Sequence, residues 1–247
     1  MCIGLMSAVP AEGLFFVKRL ARVHTNPRSN PSLYTGRVEG AEIVYSISGL
    51  GKTNAAHAAT ILIRDYSPAL LINFGAGGAY PSAGLTVGDI MVAHAEIYGD
   101  EGVLDADGFH GTEYTGIPVL RKGRKKYYNE FDLDGKLAKK AVKSAGSAFP
   151  HLPDTPKIRA GRFVTVSACT GTRERAAELQ ETWGAICENM EGAAVAHICA
   201  LYGIPFIEIR GVSNIVDDRD RTKWDLELAS ENCCKAVVQL LKALKVS

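Results

Sequence analysis

Long apolar runs are missing from this 247-residue chain. No segment carries 18 apolar residues in succession, so none is expected to span a bilayer. Cysteine is sparse. The six residues Cys2, Cys169, Cys187, Cys199, Cys233 and Cys234 are too few for a disulfide scaffold and form no C-x-x-C pair. Five of them stand among apolar or small residues, where a thiol serves as a small hydrophobe, which fits a reducing cytoplasm. Excess charge is missing too. Lys plus Arg is 28 against 27 for Asp plus Glu, a net charge of +1, so the broad electrostatic pull of a nucleic-acid coat is lacking. The six histidines, His24, His57, His94, His110, His151 and His197, make no H-E-x-x-H pattern, and His197 on an apolar helix reads as core rather than metal ligand. The first ten residues have no basic lead before a short apolar stretch, and are read as a first strand rather than a signal peptide.

What is present is ordinary globular composition, 47% hydrophobic and 22% charged. Strands are expected at Cys2–Ala8, Glu42–Ser48, Ala69–Phe74, Asp89–Tyr98, Ile158–Ala168, Ala185–Glu188 and Pro205–Ser213. Helices are expected at Ala11–Ala21, Lys52–Asp65, 134–148, Arg173–Trp183, Glu191–Tyr202 and Asp225–Val246. Residues 99–130 read as irregular, and Pro150, Pro153 and Pro156 mark a loop. The alternation implies one α/β domain over 1–247 with a mixed, largely parallel central sheet. Ligands of such sheets bind beyond the carboxyl ends of strands. That singles out Glu12, Gly49–Lys52, Gly75–Gly78, Cys169–Thr172, Glu188–Glu191 and Ser213–Asp217.

Several of these segments carry chemistry. Gly49-Leu50-Gly51-Lys52-Thr53 looks like the tail of a phosphate-binding loop, but the motif's first glycine would fall at Ser46, so a tight strand-to-helix turn is favoured. Gly75-Ala76-Gly77-Gly78 fails the dinucleotide fingerprint at Tyr80, yet its glycines would let backbone approach a ligand closely. Glu191, in the first turn of an apolar helix, is compatible with simple capping electrostatics; a carboxylate there also suits a vicinal diol. Arg210 lies inside an apolar strand and needs a partner carboxylate or an anionic site. The run Arg121–Tyr128 reads as a solvated basic loop.

Together, Ile3–Glu12, Ile47–Ala56, Asn73–Gly78, Gly88–Val92, Glu188–His197 and Arg210–Asn214 resemble the nucleoside phosphorylase and nucleosidase superfamily. Within it the chain is most similar to the methylthioadenosine/S-adenosylhomocysteine nucleosidases and the futalosine hydrolases. The resemblance implies a three-layer fold, no cofactor and no metal. It implies a small purine nucleoside as substrate, with neither nucleic acid nor membrane as partner, and a homodimer or higher homo-oligomer in which residues 99–120 could cross to the neighbour's site. It places a water-activating acid at Glu12, where a carboxylate would repel phosphate and favour hydrolysis over phosphorolysis. Met190 and Glu191 match the ribose-binding pair, and Arg210 the strand-end arginine. Gly77, the loop with Thr170 and Gly171, and Trp224 fall around the nucleoside. Two positions depart from the methylthioadenosine nucleosidase pattern. Asn214 stands where those enzymes carry the aspartate that protonates purine N7, and Ala76 stands where they carry a serine. An amide donates a hydrogen bond but is no acid near neutral pH, which points to hypoxanthine rather than adenine. Arg-Gly-Val-Ser-Asn at 210–214, followed by Asp218-Arg219-Asp220 and Trp224-Asp225, is similar to the futalosine hydrolases, whose products are hypoxanthine and a menaquinone precursor.

Overall fold

A computed structural model describes residues 2–22, 32–149 and 155–245. His24, His151, Pro150, Pro153 and Val246 lie outside the described residues. The first half of the chain contains strands β1 (Cys2–Ser7), β2 (Ala21–Arg22), β3 (Ser32–Val38), β4 (Ala41–Ile47), β5 (Leu70–Ala79) and β6 (Ile90–Tyr98), with helices α1 (Leu14–Val17) and α2 (Lys52–Tyr66). Then come β7 (Gly102–Asp105), β8 (Gly108–Gly111), β9 (Leu120–Lys122), β10 (Lys125–Tyr127), β11 (Glu130–Asp132) and α3 (Gly135–Gly146). The remainder is β12 (Ile158–Thr165), α4 (Arg173–Trp183), β13 (Ala185–Asn189), α5 (Gly192–Tyr202), β14 (Phe206–Ile215) and α6 (Leu226–Lys245).

Period-two burial sorts neighbouring residues to opposite faces of the central sheet. On β1, Leu5 joins the core under α3 and α6, while Met6 joins the core under α2 and α5. On β5, Ile72 and Leu71 divide in the same way. Helices therefore cover both faces, giving the expected α/β layering around a mixed sheet. Each fully buried Leu, Ile or Phe in these layers contributes roughly 1.5–3 kcal/mol.

β1 runs parallel between β4 and β5. β5 pairs in parallel with β14, β14 antiparallel with β6, β6 in parallel with β12, β12 in parallel with β13, and β13 antiparallel with β5. These five strands thus close into a ring, and the site described below forms at its rim.

Antiparallel pairing is heavier than strand–helix alternation suggests. β3 and β4 form a hairpin whose two turn residues, Glu39 and Gly40, both have positive φ (49° and 70°), the backbone that matches strand twist. The stretch 99–130, expected to be irregular, holds two small hairpins, β7–β8 and β9–β10, and the edge strand β11. Their three- and four-residue strands are too short to show a period.

Two further expectations are corrected. The helix foreseen over Ala11–Ala21 is a 3-10 turn at Pro10–Gly13 followed by the single turn of α1. The buried Tyr45 ring lies against Gly13, leaving no space for a side chain there, and the chain soon returns as β2. Gly75–Gly78 is not a loop after β5 but the second half of that strand, paired to β14 along its length.

Candidate active site

β1 ends at Ser7, and the 3-10 turn that opens at Pro10 tightens the chain so that Glu12 folds back over its own turn. Oε2 accepts hydrogen bonds from the N–H groups of Ala8 (2.9 Å) and Val9 (3.1 Å), and Oε1 accepts one from Ala76 on β5 (2.9 Å). A methyl group on Gly75 would overlap this carboxylate, so contact rather than backbone conformation demands the glycine. Burial raises the pKa of Glu12, the Arg210 charge and the Ala76 N–H pull it down, and Glu191 pushes it up again; the net effect is upward. A cavity of about 780 Å³ opens beside Glu12 toward Leu14, Phe15 and Leu226.

Arg210, 2% exposed, answers the demand for a partner with three carboxylates at once. Its Nε donates to Glu208 Oε1 at 2.7 Å and its Nη2 to Glu191 Oε2 at 3.2 Å. Nη1 donates to the Ala76 carbonyl at 3.0 Å and stands 3.7 Å from Glu12 Oε1. Burial alone would lower the arginine's pKa; Glu208, Glu191 and Glu12 outweigh it and hold the cation well above its ordinary value. Glu191 spends its other oxygen on the Gly51 N–H at 2.9 Å. The peptide at Ala76 therefore serves both sides, its N–H on Glu12 and its carbonyl on Arg210.

The glycine turn after β4 is thus part of this site and not a phosphate loop. Gly49 and Gly51 have φ of 90° and 92°, which suits glycine. Lys52 is held by Asp100 and by Glu101 (3.2 Å). Of the two acids bracketing Asn189-Met190, Glu191 joins the site. Glu188 instead braces the loop after β12, taking the Thr170 N–H at 2.9 Å, the Thr170 hydroxyl, and the Tyr80 hydroxyl at 3.1 Å.

The remaining expected residues form a looser group. Asn214 is half-buried at the end of β14; its Oδ1 accepts from the Ser213 hydroxyl (2.8 Å) and its Nδ2 donates to the Ile215 carbonyl (3.0 Å), leaving one amide hydrogen uncommitted. Gly77 lies between Cys187 and the Arg210 stem, where a side chain would not fit, and its carbonyl accepts from Ser213. The Cys169 thiol donates to Met190 Sδ at 3.1 Å, joining the two loops. Thr170, expected beside the nucleoside, is buried with its N–H and hydroxyl turned to Glu188. Gly171 is exposed against the Arg219 stem. Arg219 has a left-handed backbone (φ 57°) and lays its guanidinium 5.0 Å from the Trp224 ring centre. The Asp225 N–H bonds the Ser213 carbonyl (2.9 Å), which ties Trp224 beside Asn214.

Sequence reading missed Glu208, Glu96 and the Gly51 N–H. Glu208 carries a usable signal, because it stands two residues before Arg210 on one strand and so on the same face. Glu96 is the lone acid inside the buried run of β6. The reach of Gly51 to Glu191, across 140 positions, carries no local signal.

In sequence and fold the chain is similar to known proteins. The family model described as the phosphorylase superfamily matches residues 3–243. Futalosine hydrolase of Thermus thermophilus is 32% identical over 204 residues, 83% of each chain. A 5′-methylthioadenosine/S-adenosylhomocysteine nucleosidase of Maridesulfovibrio salexigens is 30% identical over 248 residues, 99% of this chain and 100% of that one. In fold, the chain is similar to the 5′-methylthioadenosine/S-adenosylhomocysteine nucleosidase of Neisseria meningitidis solved with methylthio-immucillin-A, with a TM-score of 0.82, 24% identity, and coverage of 98% and 99%.

Proposed function

The chain belongs to the phosphorylase superfamily and is a nucleosidase, and from that premise we propose that its substrate is futalosine, cleaved by water to hypoxanthine and dehypoxanthine futalosine. The observation that carries the substrate is Asn214: an amide, with one hydrogen uncommitted, at the strand end between the Cys169–Gly171 loop and Trp224.

Glu12 acts as base. Its Oε1 accepts a proton from a water whose oxygen attacks C1′, the C1′–N9 bond breaks, and the purine leaves with the bonding pair. Charge on the ribose in an oxocarbenium-like transition state is balanced by Glu12 and Glu191, the latter also accepting the ribose hydroxyls with Met190 beneath. Arg210 orients both acids. Asn214 donates to the departing ring at N7 or O6, and the proton the base finally acquires comes from solvent. The guanidinium that faces Glu12 is already engaged by three carboxylates, which supports water rather than phosphate as nucleophile. The candidate cations for the substrate's carboxylate are Arg219, Arg221, Lys223 and the 121–126 run; of these, Lys223 pairs with Asp220, Lys125 with Asp132, and Lys122 bonds the Ala200 carbonyl. Arg219, on Trp224 at the site, has no carboxylate partner among the described residues and is our choice.

A second reading, methylthioadenosine/S-adenosylhomocysteine nucleosidase, is favoured by the coverage of the relatives of that name, which match nearly the whole chain. Exposed Leu104, Tyr114 and Ile117 on the 99–120 segment support a homodimer, which sedimentation would test. The six free thiols support a reducing compartment such as the cytoplasm.

The deciding experiment is purine release from futalosine, aminofutalosine, methylthioadenosine and inosine, each with and without phosphate. Futalosine is expected to turn over fastest, with no gain from phosphate. Faster release of adenine from methylthioadenosine would select the second reading, and a requirement for phosphate would remove hydrolysis.

A further inference from the structure

Each strand of the closed ring contributes buried polar side chains, among them Asn73 from β5, Glu208 from β14, Glu96 from β6, Thr165 from β12 and Asn189 from β13. Glu96 and Glu208 are both fully buried. They approach from two sides the space a side chain on Gly192 would fill, so that residue is glycine because two carboxyl groups occupy its place.

The hydrogen bonds do not balance if both acids are ionised. Glu208 Oε1 accepts from Arg210, but Glu208 Oε2 is buried and receives no hydrogen bond from an amide, hydroxyl or cation. The Thr165 hydroxyl, with one hydrogen to give, lies 3.0 Å from Glu96 Oε2 and 2.9 Å from Asn189 Oδ1, and the Asn189 amide lies 3.4 Å from Glu96 Oε1. Glu96 Oε1 and Glu208 Oε2 lie 2.4 and 2.3 Å from the place a Cβ on Gly192 would take, which brings the two carboxyl groups face to face. Two carboxylates cannot hydrogen-bond each other; a carboxylic acid and a carboxylate can. The charge count agrees. Glu12, Glu191, Glu208 and Glu96 surround one guanidinium, and four buried anions against one cation would be prohibitive.

We propose that Glu96 is held as the neutral acid, donating its proton to Glu208, and that this pair is a positioning device for Arg210. Glu96 gives the orphaned Glu208 oxygen its donor. Glu208, fixed on both oxygens, holds Arg210 Nε, and the other two guanidinium nitrogens are thereby aimed at the Ala76 carbonyl, Glu12 and Glu191. The same ring sets Glu191 directly, since Asn189 Oδ1 accepts the N–H groups of Glu191 (2.9 Å) and Gly192 (2.7 Å), and Thr165 Oγ1 accepts that of Ala193 (2.7 Å). Burial first, then the charge of Glu208, push the Glu96 carboxyl well above the usual carboxylate range; Thr165 and Arg210 oppose this without reversing it. The other titratable groups near the pair are Cys187 and Tyr98, with Glu12 and Glu191 on the far side of Arg210.

The proposal concerns Arg210 and holds for either nucleoside reading. Glu96→Gln keeps a donor for Glu208 and an acceptor for Thr165, so it is expected to retain most of the parent's turnover at neutral pH, measured on whichever nucleoside the parent cleaves. Glu96→Ala leaves Glu208 without a donor and is expected to lower kcat on the order of 100-fold, with KM moved far less, as loss of orientation does. In the parent, raising the pH removes the Glu96 proton and places a second buried anion beside Glu208, so activity falls on the alkaline side; Glu96→Gln is expected to lack that fall. Infrared difference spectra between parent and Glu96→Gln, which need no substrate, should show a protonated carboxyl band lost in the variant. No such band in the parent, an alkaline fall retained by Glu96→Gln, or a Glu96→Gln as inactive as Glu96→Ala would each overturn the proposal. Failure of futalosine to react would leave the infrared result standing and bear on the substrate alone.

Discussion

The two halves of the site are built by different means. Around Glu12, Glu191 and Arg210, these three side chains find their partners within the chain and are almost fully buried, and glycines at 75 and 192 are fixed by contact with carboxyl groups. Around Asn214, Cys169–Gly171, Met190, Arg219 and Trp224, the residues sit at strand ends and on loops, partly exposed, with uncommitted donors. On the proposed reading, the buried half is an anionic cradle suited to a ribosyl cation, and the open half would meet the parts of a substrate that differ from one nucleoside to another. Chemistry would then belong to the first half and selection to the second, and substitutions should separate the two.

The largest expected effect is at Glu12. Glu12→Gln keeps the shape and removes the base, so turnover should fall by about 10²–10⁴ on every nucleoside cleaved. The parent's rate should fall on the acid side, because burial raises the Glu12 carboxyl and the working form is the ionised one, lost as pH drops through that raised value. A pH profile of kcat/KM for parent and variant checks both; an undiminished variant would dissolve the distinction between the halves.

Asn214 should behave differently. Asn214→Ala is expected to lower turnover by about tenfold or more, while thermal unfolding hardly moves, because the side chain is half-exposed. Asn214→Asp should gain activity toward adenine nucleosides relative to hypoxanthine nucleosides. Equal losses on both kinds of base would mean that Asn214 does not read the purine.

The smallest effect is expected at Arg219. Arg219→Ala should raise KM for a substrate with an anionic arm by several-fold, the value of one charge-assisted contact in a partly exposed place, and leave inosine unaffected. A loss on inosine as well would move Arg219 from the arm to the base.

The buried half was the more legible of the two. Glu12 falls just beyond a first strand, and an arginine in the apolar run of β14 announces that a carboxylate or an anionic site must meet it. The partners closest to it were harder to see. Glu208 was signalled only by its spacing from Arg210, and Glu96 by being an acid in a buried strand. The short hairpins between 99 and 130 were invisible because strands of three or four residues have no measurable period. The helix expected after β1 is cut to a single turn, with the Tyr45 side chain, 32 positions on, filling the place of a side chain at Gly13.

Local pattern by itself determined the α/β order, the strands buried on both faces and the strand ends where a site could form, because hydrophobic period and turn residues act over a few positions. Tertiary structure alone decided the closing of five strands into a ring, the joining of Gly51 to Glu191, and the sharing of one guanidinium among three carboxylates. Those depend on pairing across as many as 140 positions, and on a balance of buried charge that exists only once the strands have met.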